Sequence, residues 1–342
     1  MRTPEEISAM KSVLRRRAVL TAAVTALAGL AVAPSASAET HAPPVINGSA
    51  FELHPEGVAW DPIRRAFLVG SVRHGTVSVV LPDGSVRTLV KDDVMVSTVG
   101  VHVDWRRNRV LTPYMDPGVG TKSTLATKGK QSGLGIFDLT TGAKLHHVDL
   151  SAVPGASPGT HGANDVAIDA DGNAYVTDIG SGDILRVDPD GRASVFVSRP
   201  DLLGKDGGGP NGIAWHPDGY LLVVRYDRGA VFRVPVRKPE RISEVKLDVP
   251  VVGADGIALR PDGSLAVVVN TMAAQRDHEG VAVLRSHDGW TSARQTWLSG
   301  PWPEKHPTTA AVTPFGTYVV AGNLAEIFGD KPLSNEFTLR RI

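Results

Sequence analysis

A short figure recurs along this chain: a polar residue, a run of apolar positions, a turn built of Pro, Asp and Gly, and a second apolar run. Its clearest copy is Asn211-Gly212-Ile213-Ala214-Trp215, which turns through His216-Pro217-Asp218-Gly219 into Tyr220-Leu221-Leu222-Val223-Val224. Asp255-Gly256-Ile257-Ala258-Leu259 turns at Arg260-Pro261-Asp262-Gly263, and Asn164-Asp165-Val166-Ala167-Ile168 turns at Asp169-Ala170-Asp171-Gly172. Short apolar runs bounded by such turns predict strands. In all three the turn glycine stands eight residues after the polar leader, so the figure is a unit and not a chance dipeptide.

Three further copies are weaker in the turn. Glu56-Gly57-Val58-Ala59-Trp60 leads into Asp61-Pro62-Ile63-Arg64, Val99-Gly100-Val101-His102-Val103 turns at residues 106–108, and Thr308-Thr309-Ala310-Ala311-Val312 leads into Thr313-Pro314-Phe315-Gly316. The leaders stand at 56, 99, 164, 211, 255 and 308, in steps of 43, 65, 47, 44 and 53. Periods of that size with several short strands each are the signature of a β-propeller with about one blade per step. The chain is therefore expected to be all-β, a six-bladed β-propeller. After the leader strand of blades one and three to six come two more, for example 174–178 and 183–187 in blade three, with no long helical period after residue 38. Residues 116–133 form a polar loop, either a lid or a plain insertion, and residues 39–50 are expected to be extended and to pair with the last blade.

Ahead of the blades, Arg15-Arg16-Arg17, the uncharged run 18–33 and Ala36-Ser37-Ala38 read as a signal peptide of the twin-arginine type over residues 1–38. The apolar run is short for a membrane span, which needs about 20 residues. The expected domains are this signal and one propeller over 39–342, exported to the periplasm or the extracellular space.

The 342 residues include no cysteine, which excludes a disulfide framework, thiolate chemistry and Cys-ligated metal. Lys and Arg balance Asp and Glu at 36 each, with no basic stripe past the signal. Nucleic acid and anionic surfaces are thus poor partners. A small molecule is the expected partner, and the chain is expected to act as a monomer with no membrane span after signal removal.

The candidate chemistry lies in the leaders. Equivalent positions of six blades fall on one ring around the central channel, and four of them are Glu56, Asn164, Asn211 and Asp255. Two carboxylates and two amides offer oxygen to a hard cation such as Ca²⁺, which takes oxygen ligands at roughly 2.3–2.6 Å. Without a cation the two carboxylates would repel. Asn-Gly and Asp-Gly are also common turn pairs, but here the turn already lies eight residues further on.

The four segments Glu-Gly-Val-Ala-Trp, Asn-Asp-Val-Ala-Ile-Asp, Pro-Asn-Gly-Ile-Ala-Trp and Asp-Gly-Ile-Ala-Leu, in that order, resemble the senescence-marker-protein-30/gluconolactonase family over about residues 50–325. Paraoxonases and the squid-type phosphotriesterase are similar more distantly. The resemblance implies a divalent ion, most often Ca²⁺, at the channel mouth, held by the residues that match here as Glu56, Asn164, Asn211 and Asp255, and hydrolysis of a lactone or related ester. It also exposes departures: blade two leads with Val99, where paraoxonases have a His, and blade six with Thr308.

Metal-assisted hydrolysis by these residues needs a base, for which Asp255 and His306 are the candidates. His161 also lies in a loop entering the ring face. His102 takes the place of an alanine in the other units and is read as core packing. Asp178, Arg225 and Asn270 end second strands near the ring face as contacts to substrate or to a ligand side chain, and Asp178 is a candidate to orient an amide. Two alternatives from other classes stay open: a non-catalytic propeller that binds a ligand or partner around a structural ion, and an isomerase or synthase on the same fold. The loops 116–133, 271–279 and 301–306 are expected to set specificity.

Overall fold

The short, β-branched runs of this sequence are suited to strands that are covered on both faces. In the computed structural model they form six sheets; the structure describes residues 42–204, 208–276, 278–329 and 332–342, and the signal expected over 1–38 lies outside them. Residues 43–342 make one compact unit. The sheets are successive blades, and the six-bladed propeller is as the repeat predicts. The innermost strands are Val58–Asp61, His102–Asp104, Ala163–Ile168, Pro210–His216, Ala254–Leu259 and Pro307–Thr313, each beside the next around the axis, with the last returning to the first.

Blades one, three and four follow a simple meander, while blade five gains the short strand Lys246–Leu247, parallel to Ser292–Leu298. Blade six is completed from the other end of the chain. Val45–Ser49 pairs antiparallel with Glu336–Arg341, with Ile46 opposite Leu339, as expected for residues 39–50. The Tyr318 hydroxyl donates to Pro43 O at 2.6 Å. The outer strands, such as Val86–Lys91 and Ala193–Ser198, are half exposed and have no counterpart in the three-strand reading of the sequence.

The core lies between blades and not along the axis. Leu222 and Val224 of blade four pack on Val267, Val269 and Leu284 of blade five, and Tyr175 and Ile184 of blade three pack on Leu221 and Val223 of blade four. Each such fully buried side chain contributes about 1.5–3 kcal/mol. Aromatic rings close the seam between the last and first blades: Phe67 lies 4.9 Å from Tyr318, and Trp60 lies edge-on to Phe315 at 5.9 Å.

One irregularity repeats around the ring. In blades three to six the pairing of the inner strand with its neighbour slips between Ala163 and Val166, Pro210 and Ile213, Ala254 and Ile257, and Pro307 and Ala310. Each slip spans a leader and the residue after it. A bulge leaves its extra residue out of the ladder and re-aims its side chain. In blade two the same place is a gap between Ser97–Thr98 and His102–Asp104, and in blade one the strand starts only after Glu56 and Gly57.

The glycine after a leader is explained by the same crowding. A Cβ on Gly57 would stand 2.2 Å from Val99 O, and one on Gly212 would stand 2.4 Å from Asp255 O. These glycines let adjacent inner strands touch backbone to backbone. In blade three the position is Asp165, whose carboxylate accepts from Val166 N at 2.8 Å and from Ile213 N at 3.3 Å in blade four.

Candidate functional site

Asn164, Asn211 and Asp255, lifted from the ladder by the bulges, and Glu56, just ahead of its strand, line one cavity of 160 Å³. All four residues are buried, at 5–8% exposure. Glu56 Oε2, Asn164 Oδ1 and Asn211 Oδ1 are buried and have no hydrogen-bond partner. Buried oxygens are rarely left so, and here three converge on one space. The Asn211 amide nitrogen donates to Asp255, which leaves its oxygen as the unpaired atom.

Asp255 is held from behind. Asn270 Nδ2 donates to Asp255 Oδ2 at 2.6 Å and to Pro307 O at 2.9 Å. The Tyr226 hydroxyl donates to Asn270 Oδ1 at 2.5 Å and accepts from Ala273 N at 3.0 Å. Asn270 thus contacts a candidate ligand, in keeping with its expected place at the end of a second strand.

Burial dominates the electrostatics. It pushes Asp255 and Asp165 up to about 7, with the Asp165 charge a further push on Asp255 that the Asn270 and Asn211 amides partly offset. Burial, then the charges of Asp255 and Asp165, hold Glu56 well above the usual carboxylate range. Three mutually repelling buried acids call for positive charge.

Fit to a cation follows from this donor set. Unpaired amide and carboxylate oxygens are hard donors, suited to Ca²⁺ more than to Zn²⁺, which prefers nitrogen and sulfur. Among the described residues no three His, Cys, Asp or Glu side chains form a ligand group, so the two amides are needed.

The remaining leaders do other things. Thr308 is fully buried and donates its hydroxyl to Glu56 O at 2.6 Å, tying blade six to blade one. Val99 lines the cavity as an apolar wall.

Several singled-out residues stand elsewhere. His306 is not among the residues lining the cavity; its backbone N–H donates to Glu279 Oε2 at 2.8 Å, and its Nε2 is 3.6 Å from Glu279 Oε1. His161 Nδ1 is 3.0 Å from Asp178 Oδ2, and Asp178 also accepts from the backbone N–H groups of Gly162, Gly180 and Ser181. Asp178 therefore braces a loop, and no bond from it reaches the Asn164 amide. Arg225 forms a two-pronged pair with Asp227 and donates to Asp201 O. His102 lines the far end of the axial channel, where burial lowers it to about 4 and keeps it neutral.

The loop over 116–133 is knitted around Asp116, which is buried and accepts from Gly118 N, Ser123 Oγ and Thr127 Oγ1. One Gly-x-Ser-x-Gly string occurs, from Gly155 to Gly159, but it lies in a loop, without the strand-to-helix turn of a nucleophile elbow. Its Ser157 hydroxyl donates to Asp183 Oδ1 at 2.8 Å.

The sequence matches no protein-family model and no curated protein. Solved structures do match the fold. The Malassezia sympodialis allergen Mala s 1 aligns with TM-score 0.68 at 19% identity over 87% of this chain and 96% of its own. A gluconolactonase from Xanthomonas campestris aligns at 0.55 and 16% over 87% and 86%, and a luciferin-regenerating enzyme at 0.55 and 15% over 86% and 94%. The last two are propellers of the kind the leader segments resemble. At these identities the likeness defines the protein as a six-bladed propeller, and the reaction has to be argued from the site.

Proposed function

We propose that the chain is an exported, cation-dependent hydrolase of a lactone or related carboxylic ester, working at Glu56, Asn164, Asn211 and Asp255 with Ca²⁺ as the most suitable ion. The observation that carries this reading is the set of three unpaired buried oxygens facing one cavity beside Asp255. The names of gluconolactonase and luciferin-regenerating propellers among its structural neighbours support it at the level of the fold.

When bound, the ion supplies Lewis-acid polarisation of the carbonyl and charge for the developing oxyanion. The chain supplies the rest. Glu56, Asn164 and Asn211 orient the bound group through oxygens that no other partner claims. Asp255 is the proposed base: its carboxylate, with one oxygen fixed by Asn270, takes a proton from the attacking water. A cation beside it would favour the ionised carboxylate, the form that accepts a proton. His306, tied to Glu279 outside the cavity lining, is the weaker candidate.

The test is hydrolysis of a panel of lactones, aryl esters and phosphotriesters with and without chelator, alongside elemental analysis of the purified protein. Turnover that disappears with chelator, and in Glu56→Gln and Asp255→Asn, is expected. Turnover indifferent to all three changes would overturn the site as drawn.

A further inference from the structure

The cavity over the four oxygen-bearing residues has a wall unlike the site's rim of ligands. Among its described lining residues the polar ones are those four and Tyr226, whose hydroxyl already donates to Asn270 and accepts from Ala273 N. The rest of the lining is aliphatic, thioether and aromatic: Val72, Val99, Met115, Ile179 and Leu324 are its main surfaces. Val72, Val99 and Leu324 are buried in a packed cluster with Ile327, against which Met115 also packs, so this side of the wall is continuous with the core. At the mouth stand Met272 and Phe328, 38% and 51% exposed.

We infer that this site takes lactones or esters carrying an apolar chain, and discriminates against polyhydroxylated sugar lactones. The inference rests on the hydrolase reading for the reaction but on the wall alone for the preference. A sugar lactone brings several hydroxyls, and each one buried against Val, Met or Leu without a partner weakens binding roughly five- to hundredfold. An alkyl chain meets the same wall favourably, with a gain of about three- to fourfold for each methylene removed from water.

Size sets where the chain goes. A volume of 160 Å³ is below the roughly 300–1,000 Å³ of sites for larger ligands, so it holds a small ring and the first carbons attached to it. The remainder of the chain lies across Met272 and Phe328, which explains two large apolar side chains left exposed at the rim. The departure at blade two belongs to the same design: Val99 adds hydrocarbon where a polar leader would have added a hydrogen-bonding group.

Two series of ligands test this on the full chain supplied with Ca²⁺. In the first, kcat/KM is measured for γ-lactones from unsubstituted to octyl-substituted, and for glucono-δ-lactone. In the second, binding of the matching alkylcyclopentanones, which cannot be hydrolysed, is measured by calorimetry. Both kcat/KM and affinity should rise about three- to fourfold per methylene over the first several carbons, and Met272→Ser and Phe328→Ser should flatten the later part of that rise. Affinity that does not change with chain length, or glucono-δ-lactone handled better than the alkyl lactones, would overturn the inference. Chain-length-dependent binding with no hydrolysis of any lactone would support the apolar site and overturn the hydrolase reading instead.

Discussion

Asn270 grips Asp255 through a 2.6 Å hydrogen bond from Nδ2 to Oδ2, and is itself gripped by the Tyr226 hydroxyl. Tyr226→Phe should keep the ring and lose both bonds of the hydroxyl, leaving Ala273 N without its acceptor. Cation affinity is expected to fall about 10–100-fold, with a stability cost of about 1–3 kcal/mol. Calorimetric titration with Ca²⁺ and urea unfolding measure the two; an affinity within twofold of the parent would rule out a positioning role.

Glu56 and Asp255 raise each other's cost of ionisation because both are buried with like charge. Glu56→Gln removes one side of that repulsion. In the presence of chelator the variant should unfold at a higher temperature than the parent, and added Ca²⁺ should raise its Tm much less. Thermal scans with and without Ca²⁺ check both signs, and a variant stabilised by Ca²⁺ as strongly as the parent would remove Glu56 from the ligand set.

His161 is raised in pKa chiefly by its hydrogen bond to Asp178, against the opposing effect of burial. The folded state therefore holds this proton more tightly than the unfolded chain, whose value is about 6.5. The stability that the pair adds is full below that value and is lost as pH rises through the higher folded one. His161→Gln should thus cost more at pH 5.5 than at pH 9, read from urea midpoints. Equal costs at the two pH values would show that the pair adds no charge-dependent stability.

Gly212 lets blades four and five meet, with Asp255 O only 2.4 Å from where a Cβ would be. Gly212→Ala should force the inner strands apart, costing about 1–3 kcal/mol and lowering cation affinity through the displaced Asn211 and Asp255. Gly219→Ala is the control: its Cβ would meet nothing, and only its positive φ is at stake. A larger loss of cation affinity in the control than in Gly212→Ala would contradict the close-approach account.

The sequence carried the blade count because each leader stands at the head of an inner strand that turns about eight residues later, and in blades three to six the strand itself takes the leader in. The outer strands were not legible: Val86–Lys91 alternates unevenly between half-buried and exposed positions, so it has no clean period. The four oxygen-bearing leaders were legible because equivalent positions must share a ring. Why they leave the ladder was not, since a bulge is a property of pairing between two strands and not of either one. The Gly after a leader reads as a turn signal in sequence, whereas at Gly57 and Gly212 its role is clearance for a neighbouring backbone. Tyr226 was invisible for a like reason: nothing local to it announces that its hydroxyl ends on Asn270, a residue of the next blade.

The final blade borrows its edge strand, Val45–Ser49, from the stretch ahead of blade one. A nascent chain therefore carries this segment unmatched until Glu336–Arg341 has been synthesised, and the ring can close only then. Any molecule truncated before that point would present a bare ladder of amides and carbonyls, ready to capture the same segment of another copy.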